Sequence, residues 1–538
     1  MSDRPQTGRL GDDQPLQRSA GLVALRVVCG LLAIAFTFPA AYLVWRNITS
    51  DADPLGLLVD ERTLAPLWRT LRLAVAVSVS AAILGTAVAW LTTRTDLAGR
   101  SIYRVLMPIP LVFPTFIGAA AFIRTMNPGG LVYRLFDSIG IELGLELRGF
   151  FGSWLVLTLF TYPYVYLPVA ARLRRLPAAL EESARVLGDT MGEAFRRVVL
   201  PQIATSIAAG TLLVFLYTIS DFGAVQLMRY DTLTRAIETN YLARPPVAFA
   251  LSLVLLVLAA IVVIGENAVT RRLPADSGSR SSRTTEHALG RFSIVGQGIV
   301  GLTVLLGVIA PVAALIDWAR GSGRPLTVDN ATIVEASFNT LSVSVVTAIV
   351  AVLAVAPIAF LVARRNDRFG RYAHAAVIAT FALPGILIAL ALRFWTLRAG
   401  AIGNAFSDTH AVLIFAYVVR FASLAMGVTL VAVRSVPDRL HDAASMLGAD
   451  RVRRLRTIDL PLMGPGLLAA AGLVLLSTMK ELPISLLIAP LGFQTLTTRI
   501  FGSFQEAFVA EAGIMALVLV AMSSVLTWFL VLRRADHL

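Results

Sequence analysis

The sequence predicts an all-α, polytopic membrane protein made of two tandem six-helix repeats. Three observations carry that expectation. Of the 538 residues, 57% are hydrophobic and 15% charged, with a mean hydropathy of +0.74, which is more apolar surface than the cores of a water-soluble chain can bury. The apolar residues gather into runs of about 20, the length of helix that crosses a hydrocarbon core about 30 Å thick. A polar stretch between two such runs occurs twice, 260 positions apart. An offset of nearly half the chain means two copies of one domain, where a short period would have meant a solenoid.

Twelve apolar runs can be read, at 22–45, 70–92, 103–124, 151–172, 203–220, 246–269, 293–317, 338–362, 373–397, 411–433, 465–489 and 509–532. Residues 1–21 are polar, carry Arg4, Arg9 and Arg18 and lack periodicity, so they read as a disordered cytoplasmic tail. The run that follows is longer than the apolar core of a signal peptide and is expected to be retained as the first span. Cys29, the single cysteine, lies within it; one thiol makes no intrachain disulfide and no cysteine-based metal site, so it reads as a small lipid-facing or packed residue.

The net charge of +13 would suit nucleic acid only if it were concentrated on a soluble face. Most arginines instead fall in the tail, in the loops after spans 2, 4, 6, 8 and 10, and at the C-terminus. By the positive-inside rule that side is cytoplasmic, with both termini on it. The basic excess therefore reads as topology and lipid-headgroup contact, with the bilayer as partner and no nucleic acid.

In chain order, the segment after span 1 holds Asp51, Asp53, Asp60 and Glu61 on the outer side. Arg94–Arg100 recurs as Arg364–Arg371, and Phe113-Pro114 as Leu383-Pro384, at offsets near 270. The offset then contracts to 260, and the outer loop 125–150, longer than its counterpart 398–410, accounts for the difference. Residues 271–291 are rich in Ser and Arg with Gly and Pro, and read as a flexible cytoplasmic linker between a first membrane domain, 22–270, and a second, 292–535. Six spans return the chain to its starting side, so the halves are parallel repeats about an axis along the membrane normal.

The repeated stretch is Glu182-Ser-Ala-Arg-Val-Leu-Gly188, followed past nine residues by Val198-Val-Leu-Pro201; its twin is Asp442-Ala-Ala-Ser-Met-Leu-Gly448 and Ile458-Asp-Leu-Pro461. The local chemistry predicts helix, break, helix. Pro177 and Pro437 suit a first helical position. Leu180, Ala184 and Leu187, matched by Leu440, Ala444 and Leu447, form a short apolar stripe that leaves Glu181 and Arg185 facing elsewhere. Gly188 and Gly448 suit a left-handed C-terminal residue, and Asp189 or Thr190 with Glu193 can start the next helix as a capping box. A short amphipathic helix on the cytoplasmic face either lies in the headgroups or docks into a partner's groove. Repetition of the acid, the glycine and the Leu-Pro favours docking, because lipid would not demand matched breaks.

The pattern E-A-A-x-x-x-G-x9-I-x-L-P resembles the signature loop of permease subunits of binding-protein-dependent ABC importers. The resemblance implies a type I permease fold, an extracytoplasmic solute-binding protein that delivers substrate, and a loop between the fourth and fifth helix of each half that seats in a cleft of the ATPase. The coupling residues it implies are Glu182, Ala184, Gly188, Leu200 and Pro201 in the first half. In the second they are Asp442, Ala443, Ala444, Gly448, Leu460 and Pro461. Ser183 in place of the first alanine and Asp442 in place of the glutamate depart from the pattern while keeping size or charge. No P-loop is present, since that motif needs Gly-Lys before Ser/Thr and the single lysine, Lys480, follows Met479. The chain is therefore not expected to be an enzyme or to bind a cofactor; ATP and Mg²⁺ belong to two copies of a separate ATPase subunit.

Ser220-Asp-Phe-Gly-Ala224, Lys480-Glu-Leu-Pro-Ile-Ser485 and Gly492–Ile500 are similar to segments of fused permeases of the ferric-iron importer family, which implies ferric iron as the cargo; thiamine importers share the fused plan, so thiamine or another small organic cation is the alternative cargo for the same mechanism. Fe(III) is a hard cation that prefers oxygen ligands. Asp221 and Glu481, mates at the 260 offset, lie about 30 Å of helix beyond their Leu-Pro and are expected to flank the outer mouth of the pathway beside Lys480. Tyr162 and Tyr166 share a helix face and are further pathway candidates. Arg420, mid-span, needs a partner; Glu481 is the candidate, with an anion accompanying the metal or water as equal alternatives. The five histidines are scattered without metal-ligand spacing, so no permanent metal is expected. A secondary transporter would share the two repeats but not the repeated cytoplasmic motif, and a membrane enzyme has no nucleophile or metal cluster to point to.

Overall fold

The computed structural model describes residues 14–49, 56, 60–126, 130–140, 147–270, 287–320, 329–365 and 368–529. Among the described residues there is no strand, and ten helices are long and apolar enough to cross a membrane, or twelve when each of two sharply bent helix pairs counts as one span. The bends are near right angles, 98° between Arg100–Val112 and Thr115–Met126 and 102° between Arg368–Ala382 and Gly385–Arg398. Each falls at an aligned X-Pro pair. Proline crowds the residue before it out of the helical region, and Phe113 and Leu383 accordingly take ψ of 133° and 104°. Spans 3 and 9, expected as continuous apolar helices, are therefore broken.

Span 11 also differs from expectation. The helix ends at Thr478, and Pro483–Ile488 forms a separate short helix, so the run 465–489 is not one span. Lys480-Glu481 sits in the gap, with Pro483 at the first helical position, where its missing N–H costs nothing. Ser220-Asp221 makes the same break between Leu200–Ser220 and Gly223–Leu227.

The first helix of each half is exchanged. Gln14–Ile48 packs on Asn330–Arg365, Arg368–Ala379 and Gly385–Arg398 of the second half as well as on Pro245–Thr270, and its Cys29 and Phe36 are buried in the second half's core. Conversely Val300, Val304, Leu315 and Trp318 of span 7 belong to the core of the first half. The N-terminal helix begins at Gln14, inside the segment 1–21 expected to be disordered; residues 1–13 lie outside the described residues.

Most of the expected linker, 271–286, also lies outside the described residues, but its end is docked. His287 pairs with Thr95 as an isolated parallel bridge, its N–H donating to the Arg94 carbonyl at 2.8 Å, and its ring stacks on Trp90 at 5.3 Å.

Candidate functional site

The two repeated loops fold alike. Helices Ala178–Val186 and Asp438–Met446 start after Pro177 and Pro437, which are extended N-cap residues and not the first helical position. Gly188 and Gly448 have φ of +99° and +74°, the left-handed conformation that glycine adopts without steric cost. The N–H groups of Asp189 and Ala449 then close on the carbonyls of Ala184 and Ala444, the hydrogen bond that finishes a helix in this way. Thr190 and Glu193 form the anticipated reciprocal cap, with Glu193 accepting from the Thr190 N–H at 2.9 Å; Asp450 caps Arg453 in the second copy at 2.7 Å. A single wider turn, 195–199 or 455–459, leads into Leu200-Pro201 or Leu460-Pro461.

The stripe on these helices is oriented differently from the sequence reading. Ala184 and Ala444 are buried, but Leu187 and Leu447 are 87% and 86% exposed, and Val186 and Met446 extend with them as bare apolar tips. Glu181, expected to face away, is instead buried as the anchor of the first helix. It pairs with Arg94 at 3.1 Å and His287 at 2.8 Å, while Arg94 also donates to the Leu176 carbonyl at 2.9 Å. An unpaired charge would be costly in that position, and the two partners remove the penalty. In the second half His441 stands in the place of Glu181 and pairs with Asp459 at 2.7 Å, and Arg364 binds Asp438 and the Val436 carbonyl. Glu182 and Asp442 are exposed.

Between the halves lies a cavity of about 320 Å³. Its walls contain mates at the two repeat offsets, Thr115 with Gly385, Phe160 with Arg420, Ser220 with Lys480, and Asp221 with Glu481, so it sits on the axis that relates the repeats. Both acids cap the short helices that follow them: Asp221 accepts from the Ala224 N–H at 3.0 Å and Glu481 from that of Ile484 at 2.9 Å. The second oxygen of Asp221 takes the Thr115 hydroxyl at 2.6 Å. Glu481 Oε1 faces Gly385 instead, where a side chain would overlap it. The cations turn to the free carbonyls of the two breaks. Lys480 reaches across to Leu111 at 2.8 Å, and Arg420 donates to Leu383. Arg420 is therefore not ion-paired with Glu481, as expected from sequence; the carbonyl left free by the Pro384 break takes that place.

Residues 64–274 and 355–535 each match the model of the binding-protein-dependent transport system inner membrane component. The chain belongs to this family of ABC importer permeases. The permease is 27% identical over 506 residues to the Fe(3+)-transport system permease protein FbpB 2 of Haemophilus influenzae, covering 92% of this chain and 95% of that one. It is 29% identical over 259 residues to the molybdenum transport system permease protein ModB of Mycobacterium bovis, covering 47% of this chain and 91% of the relative. With the sulfate transport system permease protein CysT of Salmonella typhimurium it shares 26% identity over 202 residues, 38% of this chain and 71% of that one. It is thus a multi-pass inner-membrane permease, not an enzyme, that works with a separate ATPase and a binding protein.

Of the candidates in the permease's pathway, Asp221, Arg420, Lys480 and Glu481 converge on the axial cavity. Tyr162 and Tyr166 do not. Tyr162 donates to the Met107 carbonyl at 2.8 Å and Tyr166 lies against Thr92, both in the first half's core. The tyrosines that line the cavity are Tyr164 and Tyr217, their rings 5.6 Å apart. Thr115 and Gly385 were also missed, although their position directly after the aligned Pro114 and Pro384 is visible in the sequence.

Proposed function

We propose that this permease conducts ferric iron. The observation that carries the reading is the pair of carboxylates on the axis, one of them with an oxygen, Glu481 Oε1, turned to the bare face of Gly385, while both cations reach backbone carbonyls. The open carboxylate oxygen is the kind of hard donor that a trivalent cation prefers. Similarity to a permease named for Fe(3+) over nearly the whole length of both chains supports it.

In this reading a binding protein releases iron at the face opposite the repeated loops. Two ATPase subunits, which hold ATP and Mg²⁺, each seat one loop at the cytoplasmic face, where both termini also lie. The exposed tips Val186-Leu187 and Met446-Leu447 enter the ATPase clefts, Glu182 and Asp442 meet basic groups at the rims, Ala184, Ala443 and Ala444 allow close approach, and Gly188, Leu200 and Pro201 with Gly448, Leu460 and Pro461 fix the angle at which motion passes into the spans. Closure of the ATPase draws the two loops together and reverses the access of the axial cavity.

A second reading, transport of an oxyanion such as molybdate or sulfate, is favoured by Arg420 and Lys480 in the same wall and by the half-length relatives. Uptake by cells carrying the complete transporter separates them. Asp221→Asn with Glu481→Gln abolishes iron-55 accumulation if iron is carried; unchanged accumulation refutes the carboxylate pair, and iron-independent uptake of molybdate or sulfate by the unaltered protein refutes the substrate.

A further inference from the structure

A second cavity lies away from the axis, where the first helix crosses onto the second half. It measures about 480 Å³ and is walled by Phe38, Ala41, Tyr42 and Trp45 of one helix and by Trp395 and Arg398 of the other. The aromatic rings are in mutual contact, Phe38 with Trp395 at 5.6 Å and Tyr42 with Trp45 at 5.7 Å. Trp45 is 54% exposed. Both helices end here, at Ile48 and Arg398, so the cavity opens at the depth where tryptophan and tyrosine meet lipid headgroups.

Two polar atoms of the first helix here lack hydrogen-bond partners among the described residues. Tyr42 is 7% exposed, and its hydroxyl has no hydrogen-bond partner among the described residues. The same holds for Nε of Arg46, whose guanidinium lies over the rings of Trp45 and Phe249. Arg398 makes no ion pair among the described residues, and both arginines act electrostatically on the Tyr42 phenol. Buried donors in native proteins are nearly always satisfied. Here the Tyr42 hydroxyl is buried in the wall of this aromatic trough without a partner, with the exposed Arg398 in the same wall and Arg46 one helical turn beyond Tyr42.

We propose that this trough holds one anionic phospholipid, its phosphate accepting from the Tyr42 hydroxyl and the Arg46 and Arg398 guanidiniums and an acyl chain lying along Phe38, Ala41 and Trp395. Two guanidiniums select a net negative headgroup over a zwitterionic one. The lipid fills the seam beside the Asn47 side chain, which donates to the Phe249 carbonyl at 3.0 Å, and so fastens the exchanged first helix to its neighbours.

The test is native mass spectrometry of the full chain, purified in detergent, delipidated and titrated with dioleoyl phosphatidylglycerol, dioleoyl phosphatidylcholine or glycerol phosphate. One phosphatidylglycerol is expected to bind at least tenfold more tightly than phosphatidylcholine. Tyr42→Phe, which keeps the ring and therefore the packing, and Arg398→Gln are each expected to weaken it on the order of tenfold. Equal affinity of both variants and the unaltered protein for phosphatidylglycerol overturns the site. Binding of glycerol phosphate as tight as that of the lipid overturns the lipid as occupant, and equal retention of the two lipids overturns the charge selection.

Discussion

Substituting Gly385 by alanine tests whether the axial carboxylates are held by the compensation seen between the halves. The glycine has no positive φ, so its backbone accepts a side chain; the obstacle is Glu481 Oε1, which an added Cβ would overlap, with Ile484 Cγ1 next at 3.5 Å. Overpacking of this kind costs about 1–3 kcal/mol. If the carboxylate swings away it also gives up the Ile484 N–H, a hydrogen bond to a charged group that contributes about 1.5–3 kcal/mol. Gly385→Ala is therefore expected to destabilise the permease by about 2–4 kcal/mol and to impair transport. Glu481→Asp removes one methylene, and the first half already holds a shorter acid opposite a larger residue, Asp221 with Thr115. The double variant Gly385→Ala/Glu481→Asp is thus expected to recover about 1–3 kcal/mol of the loss. Thermal unfolding of the purified proteins in detergent, followed by tryptophan fluorescence, gives the four corners of the cycle, and uptake by cells gives the functional counterpart. A single variant that melts with the unaltered protein, or a double variant that melts no higher than the single one, refutes the reasoning.

Two further outcomes follow from the loops. Gly188→Val with Gly448→Val places branched side chains at φ of +99° and +74° in otherwise open space, a backbone strain of about 1–2 kcal/mol each; co-purification of the ATPase should fall sharply while membrane insertion is unchanged, and intact co-purification would argue against the loops as docking elements. Glu181→Ala leaves Arg94 buried without its carboxylate and is expected to cost about 3–5 kcal/mol, whereas Glu181→Leu with Arg94→Met should recover much of that loss in the same melting experiment; equal melting of the single and double variants would show that the pair is not the source of the cost.

The number of spans and the twofold organisation were legible because both rest on strong signals, long apolar runs and a motif repeated with its glycine and proline in register. The breaks after Phe113 and Leu383 were less so: hydropathy is blind to direction, and the aligned prolines carried the information only once read as helix stops. Exchange of the first helices was not legible, because a lipid-facing helix is apolar all round and does not declare which half it packs on. Glu181 was misplaced for a related reason. On a helix as short as Ala178–Val186 the apolar stripe suggests which face is inward, yet the strongest local demand comes from Arg94 and His287, 87 and 106 residues away in sequence. Tyr162 and Tyr166 do share a face, as their spacing implies, but it is turned into the first half's core, and only Tyr164, on a different face of the same helix, reaches the axis.

The asymmetry of the axial cavity gives a physical reason for joining the halves in one chain. Its four charged residues are Asp221, Arg420, Lys480 and Glu481, so the acids come one from each half while both cations come from the second; their counterparts in the first are Phe160 and Ser220. Two identical second-half subunits around the axis would bring two arginines and two lysines against two glutamates, and a surplus of positive charge in a site shielded from water is expensive and repels a cation. Two identical first-half subunits would leave the aspartates with no counter-charge and the break carbonyls without their cationic donors. With unlike halves, one lysine can cross to Leu111 and one arginine can bind Leu383, so each break carbonyl is satisfied once and the charges of the cavity balance. Covalent linkage ensures that every assembled channel contains one of each half, which separate subunits of similar sequence would achieve only by discriminating against self-pairing.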